Sequence, residues 1–187
     1  MIRKLNMALL GGALVVTSHH AMALSLSANG GKDSQQVEVS QAILPMLRLG
    51  VGYLNTDDSG HNAKAYSGSL MFSPWLTGPV DLSVGARYQY QDTHHGNGGG
   101  VGLGGSVFVD TPIPLTSLGA YGFHTPNGMT HGDMDKSYEY GAQARVNVLA
   151  QTYLYAGYRY LRTDFDDGGD TAQTLDSGPV LGVSIGF

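Results

Sequence analysis

The chain has 187 residues, 28 of them glycine and none cysteine, with a formal net charge of −5 at pH 7. This length predicts a single domain, and the acidic balance argues against a nucleic-acid partner. The absence of cysteine excludes a disulfide framework and a cysteine for lipid attachment.

The N-terminal segment has the pattern of a cleaved secretory signal. An Arg-Lys pair precedes an apolar stretch over residues 5–16, and Ala21 and Ala23 form the small-x-small pattern of a cleavage site. The apolar stretch is shorter than the roughly 20 residues that a transmembrane helix needs. We therefore expect residues 1–23 to be a removed signal peptide and residues 24–187 to be the mature domain. The alternative is a retained anchor helix.

The rest of the chain alternates large apolar residues with small or polar ones, which is typical of β-strands. Residues 24–43 alternate around a GGKDS turn and would form one hairpin. Eight further strands are predicted at 46–55, 65–72, 81–91, 100–109, 115–124, 137–148, 152–162 and 178–187. The glycine run GGGVGLGG lies within one of these strands and is followed by no helix, so it does not indicate a nucleotide-binding loop.

The connections between these strands alternate in length. Long, polar, Gly- and Asp-rich connections are expected at 56–63, 91–99, 125–136 and 163–177, and shorter ones at 73–80, 110–114 and 149–151. This pattern is typical of bacterial outer-membrane barrels, with the long loops outside the cell. We predict an all-β fold, a transmembrane antiparallel up-and-down barrel of eight to ten strands with both termini in the periplasm. Ten strands are favoured because an unpaired hairpin would leave an exposed edge.

A soluble β-sandwich or lipocalin-like barrel is the alternative, because its strands also alternate but turn their apolar face inward. Three features favour contact with lipid. The second face of each strand carries Gly, Ser and Ala with isolated charges, which suits a narrow interior. Aromatic residues lie near strand ends, as in an interfacial girdle. The chain also ends on an apolar strand.

The last third of the chain carries a family resemblance. AGYRYL at 156–161, an acidic segment, GPVLGV at 178–183 and the terminal Phe187 resemble the YfaZ family of small Gram-negative outer-membrane proteins. The resemblance implies a bacterial outer-membrane location and a last strand that the outer-membrane assembly machinery recognises. In this chain that signal would comprise Leu181, Val183, Ile185 and Phe187. The family implies an architecture rather than an activity.

The small-residue faces of the predicted strands carry five charged residues: Arg48, Arg87, Glu139, Arg145 and Arg159. Charges inside a narrow barrel must be paired or hydrated. We therefore expect a network that fills a narrow, Arg-rich lumen, in which the Glu139 carboxylate lies close to Arg159 across a hairpin. The alternative is a basic-lined passage for small anions.

Aspartates are frequent in the predicted loops, from Asp57 to Asp176. The segment DFDDGGD at 164–170 lacks the spacing and the closing Glu of an EF-hand, so we expect a solvated loop rather than a calcium site. Divalent ions that bridge such carboxylates to lipopolysaccharide are a second possibility. Loop histidines such as His94 and His124 show no ligand spacing and are expected to be solvated.

A lipid-A-modifying enzyme is a further alternative, and it would need a nucleophile and a base within hydrogen-bond reach. His131, Ser137 and Glu139 are the nearest candidates, but Ser137 and Glu139 are predicted to face inward and no nucleophile-elbow motif is present. We expect no catalytic, cofactor or metal site. The favoured function is a monomeric structural or permeability barrel, with outer-membrane lipid, lipopolysaccharide and the assembly machinery as partners. Surface binding through acidic loops remains the other alternative.

Overall fold

The computed structural model describes residues 23–58, 61–74, 78–94, 96–166 and 170–187, without the side chains of residues 58, 61, 170 and 171. Ala21 and the rest of the predicted signal before Ala23 lie outside the described residues, as do Trp75 and His95. The described residues hold no helix of the length and apolar character needed to cross a membrane.

The described residues form eleven strands. They are β1 (Leu24–Gly30), β2 (Ser34–Leu44), β3 (Leu47–Asp58), β4 (His61–Phe72), β5 (Val80–Thr93), β6 (Gly96–Asp110), β7 (Thr116–Thr125), β8 (Thr130–Gly132), β9 (Met134–Leu149), β10 (Thr152–Asp166) and β11 (Asp170–Gly186).

Ten of these strands close into an antiparallel barrel, which confirms the predicted fold and the larger strand count. Each strand pairs with its sequence neighbour in the wall, and β1 pairs with β11 to join the two ends of the chain. The short strand β8 pairs with β6 beyond the end of β7, where it extends the wall. The predicted hairpin at 24–43 is therefore part of the barrel, as β1 and β2.

The two ends of the barrel differ. We call the end with Ala23, Phe187 and the short turns the lower end, and the opposite end the upper end. At the upper end the strands continue through most of the predicted loops, so the prediction of long loops there was wrong. For example, β10 and β11 remain paired as far as Asp166 and Asp170. Polar residues on both faces weaken the alternating pattern in these segments, but the neighbouring strands still satisfy their backbone hydrogen bonds.

The apolar face of the strands forms the outer wall. Leu154 is 50% exposed and Leu181 is 69% exposed, whereas Ser69 and Ser184 on the other face line the interior. An exposed belt of this kind is the lipid-contacting surface of a transmembrane barrel. The soluble alternative, with its apolar face turned inward, is therefore rejected.

Exposed tyrosines mark the upper edge of this belt. Tyr53 and Tyr66 lie on adjacent strands with ring centroids 5.2 Å apart, and Tyr140 stacks on Tyr160 at 4.9 Å. Tyrosine is enriched where a membrane meets water because its ring is apolar and its hydroxyl group is polar. This arrangement corresponds to the predicted girdle.

A β-bulge in β11 changes which residues face inward. Leu161 of β10 is opposite Asp176, but the next residue, Arg162, is opposite Thr174, so Leu175 is an extra residue in β11. A bulge lets two consecutive side chains point to the same face. Asp176 continues the inward alternation of Ser184 and Val180 in the regular register below the bulge, and the bulge turns Leu175 inward as well.

Candidate functional site in the barrel interior

The lower part of the interior holds a cavity of about 750 Å³. Its lining begins at the lower rim with Ala23 and Asp110 and ends in the middle of the barrel with Arg87, Glu139 and Arg159. The cavity is thus open toward the lower end and bounded above by charged residues.

Arg159 is the most fully bonded of these residues, and its side chain is 1% exposed. Its Nε atom donates to Asp176 Oδ2 at 2.5 Å, and its Nη2 atom donates to Ser34 Oγ at 3.1 Å. Its Nη1 atom donates to Asn29 Oδ1 at 3.1 Å and also to Gln36 Oε1. The guanidinium group therefore links β10 to β11, β1 and β2, which its planar set of donors makes possible.

A second ion pair lies beside the first. Arg87 Nη1 donates to Glu139 Oε2 at 2.7 Å, and the Arg87 guanidinium lies 3.8 Å from the centroid of the Phe123 ring. Glu139 was expected to lie close to Arg159, and its ion pair is formed with Arg87. Leu161, not Arg159, is opposite Glu139 in the β9–β10 register, and Asp176 of β11 pairs with Arg159 instead. Asp176 was itself expected in an outer loop, and that expectation was wrong.

Glu38 on β2 completes this layer of charged residues, which we call the charge layer: Arg87, Glu139, Arg159, Asp176 and Glu38. The half-buried Glu38 carboxylate interacts electrostatically with Arg87, Arg48 and Glu139. Glu38 was not predicted from the sequence, although the alternation in QVEVS places it on the inward face between Val37 and Val39.

Arg48 and Arg145 also line the cavity, below the charge layer. Arg48 Nη1 donates to Ser25 Oγ at 3.2 Å, and the Arg145 guanidinium lies 3.1 Å from the centroid of the Phe108 ring. Neither forms an ion pair with any described residue. Both side chains border the cavity, whose volume is large enough to hold water.

The charges that line the cavity balance in number. Four arginines are accompanied by four carboxylates, from Glu38, Asp81, Asp110 and Glu139. All four arginines were predicted from the sequence, but only one of these carboxylates, Glu139, was. The lining is therefore less basic than the predicted Arg-rich lumen.

Above the charge layer the interior is filled by side chains. Leu54, Ala63, Ala65, Leu161 and Leu175 form a buried apolar cluster. Thr163 is 0% exposed, and its hydroxyl lies 2.9 Å from Ser137 Oγ. None of these side chains lines the cavity. We call this packed upper region the plug.

The glycine run in β6 makes room for the plug. A Cβ atom added at Gly98 would lie 2.7 Å from the backbone nitrogen of Met134, and one at Gly100 would lie 2.6 Å from Cγ2 of Thr125. Real Cβ atoms do not approach other atoms so closely, so these positions need glycine. The glycine run lets neighbouring strands and side chains approach β6 closely, and it lies within a strand, in agreement with the interpretation that it is not a nucleotide loop.

The last strand presents its apolar side chains to the outside, as predicted. Leu181 and Phe187 are 69% and 68% exposed, and Val183 and Ile185 lie on the same face, partly covered. The Phe187 backbone nitrogen donates to the Leu24 carbonyl oxygen at 2.8 Å. The Phe187 side chain therefore remains available while its backbone closes the barrel.

The residues considered for catalysis do not come together. His131 lies on the outer wall, with Nε2 2.8 Å from Tyr88 Oη, whereas Ser137 and Glu139 point into the interior. His124 also faces outward and stacks on Tyr138 at 4.6 Å. Among the described residues no group of three or more potential metal ligands is found.

Three comparisons relate this geometry to known proteins. The profile of the family described as "YfaZ precursor" matches residues 2–187. The chain is 27% identical over 188 residues to "Outer membrane protein YfaZ" of Escherichia coli (strain K12), with 100% of both chains covered.

Among solved structures, the chain is similar to the outer membrane protease OmpT from Escherichia coli, with a TM-score of 0.59 and 8% identity over 93% of this chain and 99% of that one. It is also similar to Neisserial surface protein A, with a TM-score of 0.42 and 14% identity over 89% of this chain and 94% of that one. The likeness to OmpT concerns the barrel fold alone.

Proposed function

The chain belongs to the YfaZ family and is an outer-membrane protein, and from the geometry of its interior we propose that it is a plugged structural barrel of low permeability. In this proposal the lower end, with both termini, faces the periplasm. The cavity is then a chamber open to the periplasm, and the plug separates it from the outside of the cell.

The burial of Arg159 is the observation that carries this proposal. Its guanidinium is almost fully buried, and it is bonded to four side chains on three other strands. Removing one partner of such a buried pair costs about 3–5 kcal/mol, because a charge is left without compensation. A continuous path would require these bonds to break and the plug above them to move.

The balanced lining of the cavity supports a closed chamber more than an anion passage. Selectivity for anions in a pore comes from rings of unpaired basic side chains. Here Arg87 and Arg159 are engaged in ion pairs, and the cavity also contains Asp81 and Asp110.

Conductance across planar bilayers tests the proposal. We expect the folded protein to give no stable channel steps above the bilayer background. The control is the same preparation after boiling, which removes the folded barrel. Regular, ohmic steps from the unaltered protein would overturn the proposal and favour a pore.

A gated passage is the second candidate function, and it is favoured by the polar contacts that close the interior at the charge layer. The charge layer is held by ion pairs and hydrogen bonds, which exchange partners more readily than an apolar core does. If the layer is a gate, Asp176→Asn should produce conductance that the unaltered protein lacks. If the layer and the plug form a permanent closure, Asp176→Asn should lower stability without producing conductance.

We propose no reaction for this protein. The three residues considered for lipid-A chemistry lie on opposite sides of the barrel wall, with His131 outside and Ser137 and Glu139 inside. They therefore do not form a nucleophile and base that could act together on one substrate. Mass spectrometry of lipid A from cells with and without the protein tests this, and a changed lipid A profile would refute it.

A further inference from the structure

The outer wall carries a groove of about 390 Å³ between β9 and β10, at the upper edge of the apolar belt. Six side chains line it: Lys136, Tyr138, Tyr140, Tyr160, Arg162 and Asp164. The groove lies on the outer face of the strands, so it is separate from the cavity inside the barrel.

The polarity of the groove changes in steps along the barrel. In the β9–β10 register Lys136 is opposite Asp164, Tyr138 is opposite Arg162, and Tyr140 is opposite Tyr160. Below the groove the outward pairs are Tyr158 with Ala142, Ala156 with Ala144 and Leu154 with Val146. The surface therefore passes from charged through aromatic to aliphatic within a few residues.

The charged part of the groove holds two cations around one carboxylate. Lys136 Nζ and Arg162 Nε each lie 3.2 Å from an Asp164 oxygen, and their side chains are 39% and 45% exposed. The residues that line the groove include two cations and one carboxylate, so the lining has a net positive charge. Asp135 is not part of the lining; it lies 4.0 Å from Lys136 Nζ and accepts a hydrogen bond from Asn127. Lysine and arginine also have further N–H groups that point away from this carboxylate.

We propose that this groove binds the phosphorylated headgroup of lipid A in the outer leaflet. The phosphate would take the free donors of Lys136 and Arg162, and the acyl chains would lie along the aliphatic wall that includes Leu154. The stacked rings of Tyr140 and Tyr160, between these two zones, would contact the glycolipid backbone. This proposal concerns the outer wall and does not depend on whether the interior conducts, but it requires the upper end to face outward.

Charge complementarity at the correct depth is the argument for a lipid rather than a soluble anion. The two cations lie where the belt ends, which is the level of lipid headgroups. A soluble phosphate would gain nothing from the aromatic and aliphatic zones below. Cationic side chains near a membrane contribute about 1 kcal/mol each to the binding of anionic lipid, or about fivefold in affinity.

Native mass spectrometry of the folded protein in detergent tests the proposal, with bisphosphorylated lipid A as the probe. We expect Lys136→Gln and Arg162→Gln each to weaken lipid A binding about fivefold, and the pair about 25-fold. Asp164→Asn should strengthen it several-fold, because Arg162 loses its carboxylate partner and Lys136 keeps only the more distant Asp135. Unheated gel mobility verifies that each variant is folded.

Lys64→Gln is the matched control, because Lys64 is exposed on another part of the wall and lies outside the groove. We expect it to leave lipid A binding unchanged. An equal loss in Lys64→Gln, or no loss in the double variant, would overturn the assignment of a specific groove. Phosphatidylglycerol retained as strongly as lipid A would overturn the assignment to the outer leaflet. Displacement of lipid A by millimolar inorganic phosphate would point to a soluble anion instead.

Discussion

Asp176→Asn should destabilise the barrel substantially, because it removes the only carboxylate bonded to Arg159 among the described residues. The Arg159 side chain is 1% exposed and that of Asp176 is 10% exposed, so water cannot replace the lost partner. The substitution keeps the size of the side chain and removes only its charge. The effect therefore reports on the ion pair rather than on packing.

The expected magnitude follows from the burial of the pair. Leaving one buried charge without its partner costs about 3–5 kcal/mol. Arg159 keeps its hydrogen bonds to Ser34, Asn29 and Gln36, which offset part of this loss. We therefore expect a decrease of about 3 kcal/mol in the free energy of unfolding, at the lower end of that range.

Reversible urea unfolding of the barrel in lipid vesicles is the assay, with the folded fraction read from the mobility of unheated samples on gels. Arg48→Gln is the matched control, because Arg48 lines the same cavity but forms no ion pair with a described residue. Arg48→Gln should change the free energy of unfolding by less than about 0.5 kcal/mol, as substitutions of exposed residues usually do.

A double variant separates the ion pair from the single residues. In Asp176→Asn with Arg159→Gln, no buried charge is left unpaired, so the double variant should lose less stability than the sum of the two single variants. Equal stability of Asp176→Asn and the unaltered protein would refute the reasoning. It would mean that the hydrogen bonds alone hold Arg159.

Three further predictions concern the wall, the plug and the orientation. Leu154→Arg places a charge on the lipid-facing belt and should cost about 2–4 kcal/mol in vesicle unfolding, whereas Gln143→Arg, at a position that lines the cavity, should cost less than half as much. Leu161→Ala, in the fully buried plug, should cost about 2–5 kcal/mol in the same assay, and a smaller loss would show that the plug is loosely packed. Because the chain has no cysteine, Met129→Cys at the upper end should react with an impermeant maleimide on intact cells, and Pro112→Cys at the lower end only after the outer membrane is disrupted. The reverse labelling would invert the assigned orientation.

The strand positions and the outer face could be predicted because lipid contact requires an apolar side chain at every second position. This requirement makes the alternation of β3, β5, β9 and β10 clear in the sequence. The alternation of apolar side chains ends where the strands extend beyond the apolar belt. Beyond Tyr160, for example, inward Leu161 and Thr163 alternate with outward Arg162 and Asp164, so the apolar pattern no longer identifies the outer face. The upper ends of the strands were therefore mistaken for loops.

The partners inside the barrel could not be predicted from alternation alone. Alternation assigns a residue to the inner face, but the distance between two inward side chains depends on the strand register and the width of the barrel. Asp176 lies in the regular register just below the bulge at Leu175, opposite Leu161, and it faces inward toward Arg159. The alternation of the last strand, continued from Ser184 and Val180, places Asp176 on the inner face, but it does not identify Arg159 as its partner.

The β9–β10 hairpin contributes to both proposed functions through opposite faces. Glu139, Arg159 and Leu161 point inward to the charge layer and the plug, whereas Tyr160 and Arg162 point outward to the groove. Because side chains alternate across a strand, a substitution on one face leaves the other face in place. Arg162→Gln should therefore weaken lipid A binding without changing conductance, and Asp176→Asn should lower stability without changing lipid A binding. If both properties changed together in either variant, the interior and the outer wall would have to be coupled through the hairpin backbone.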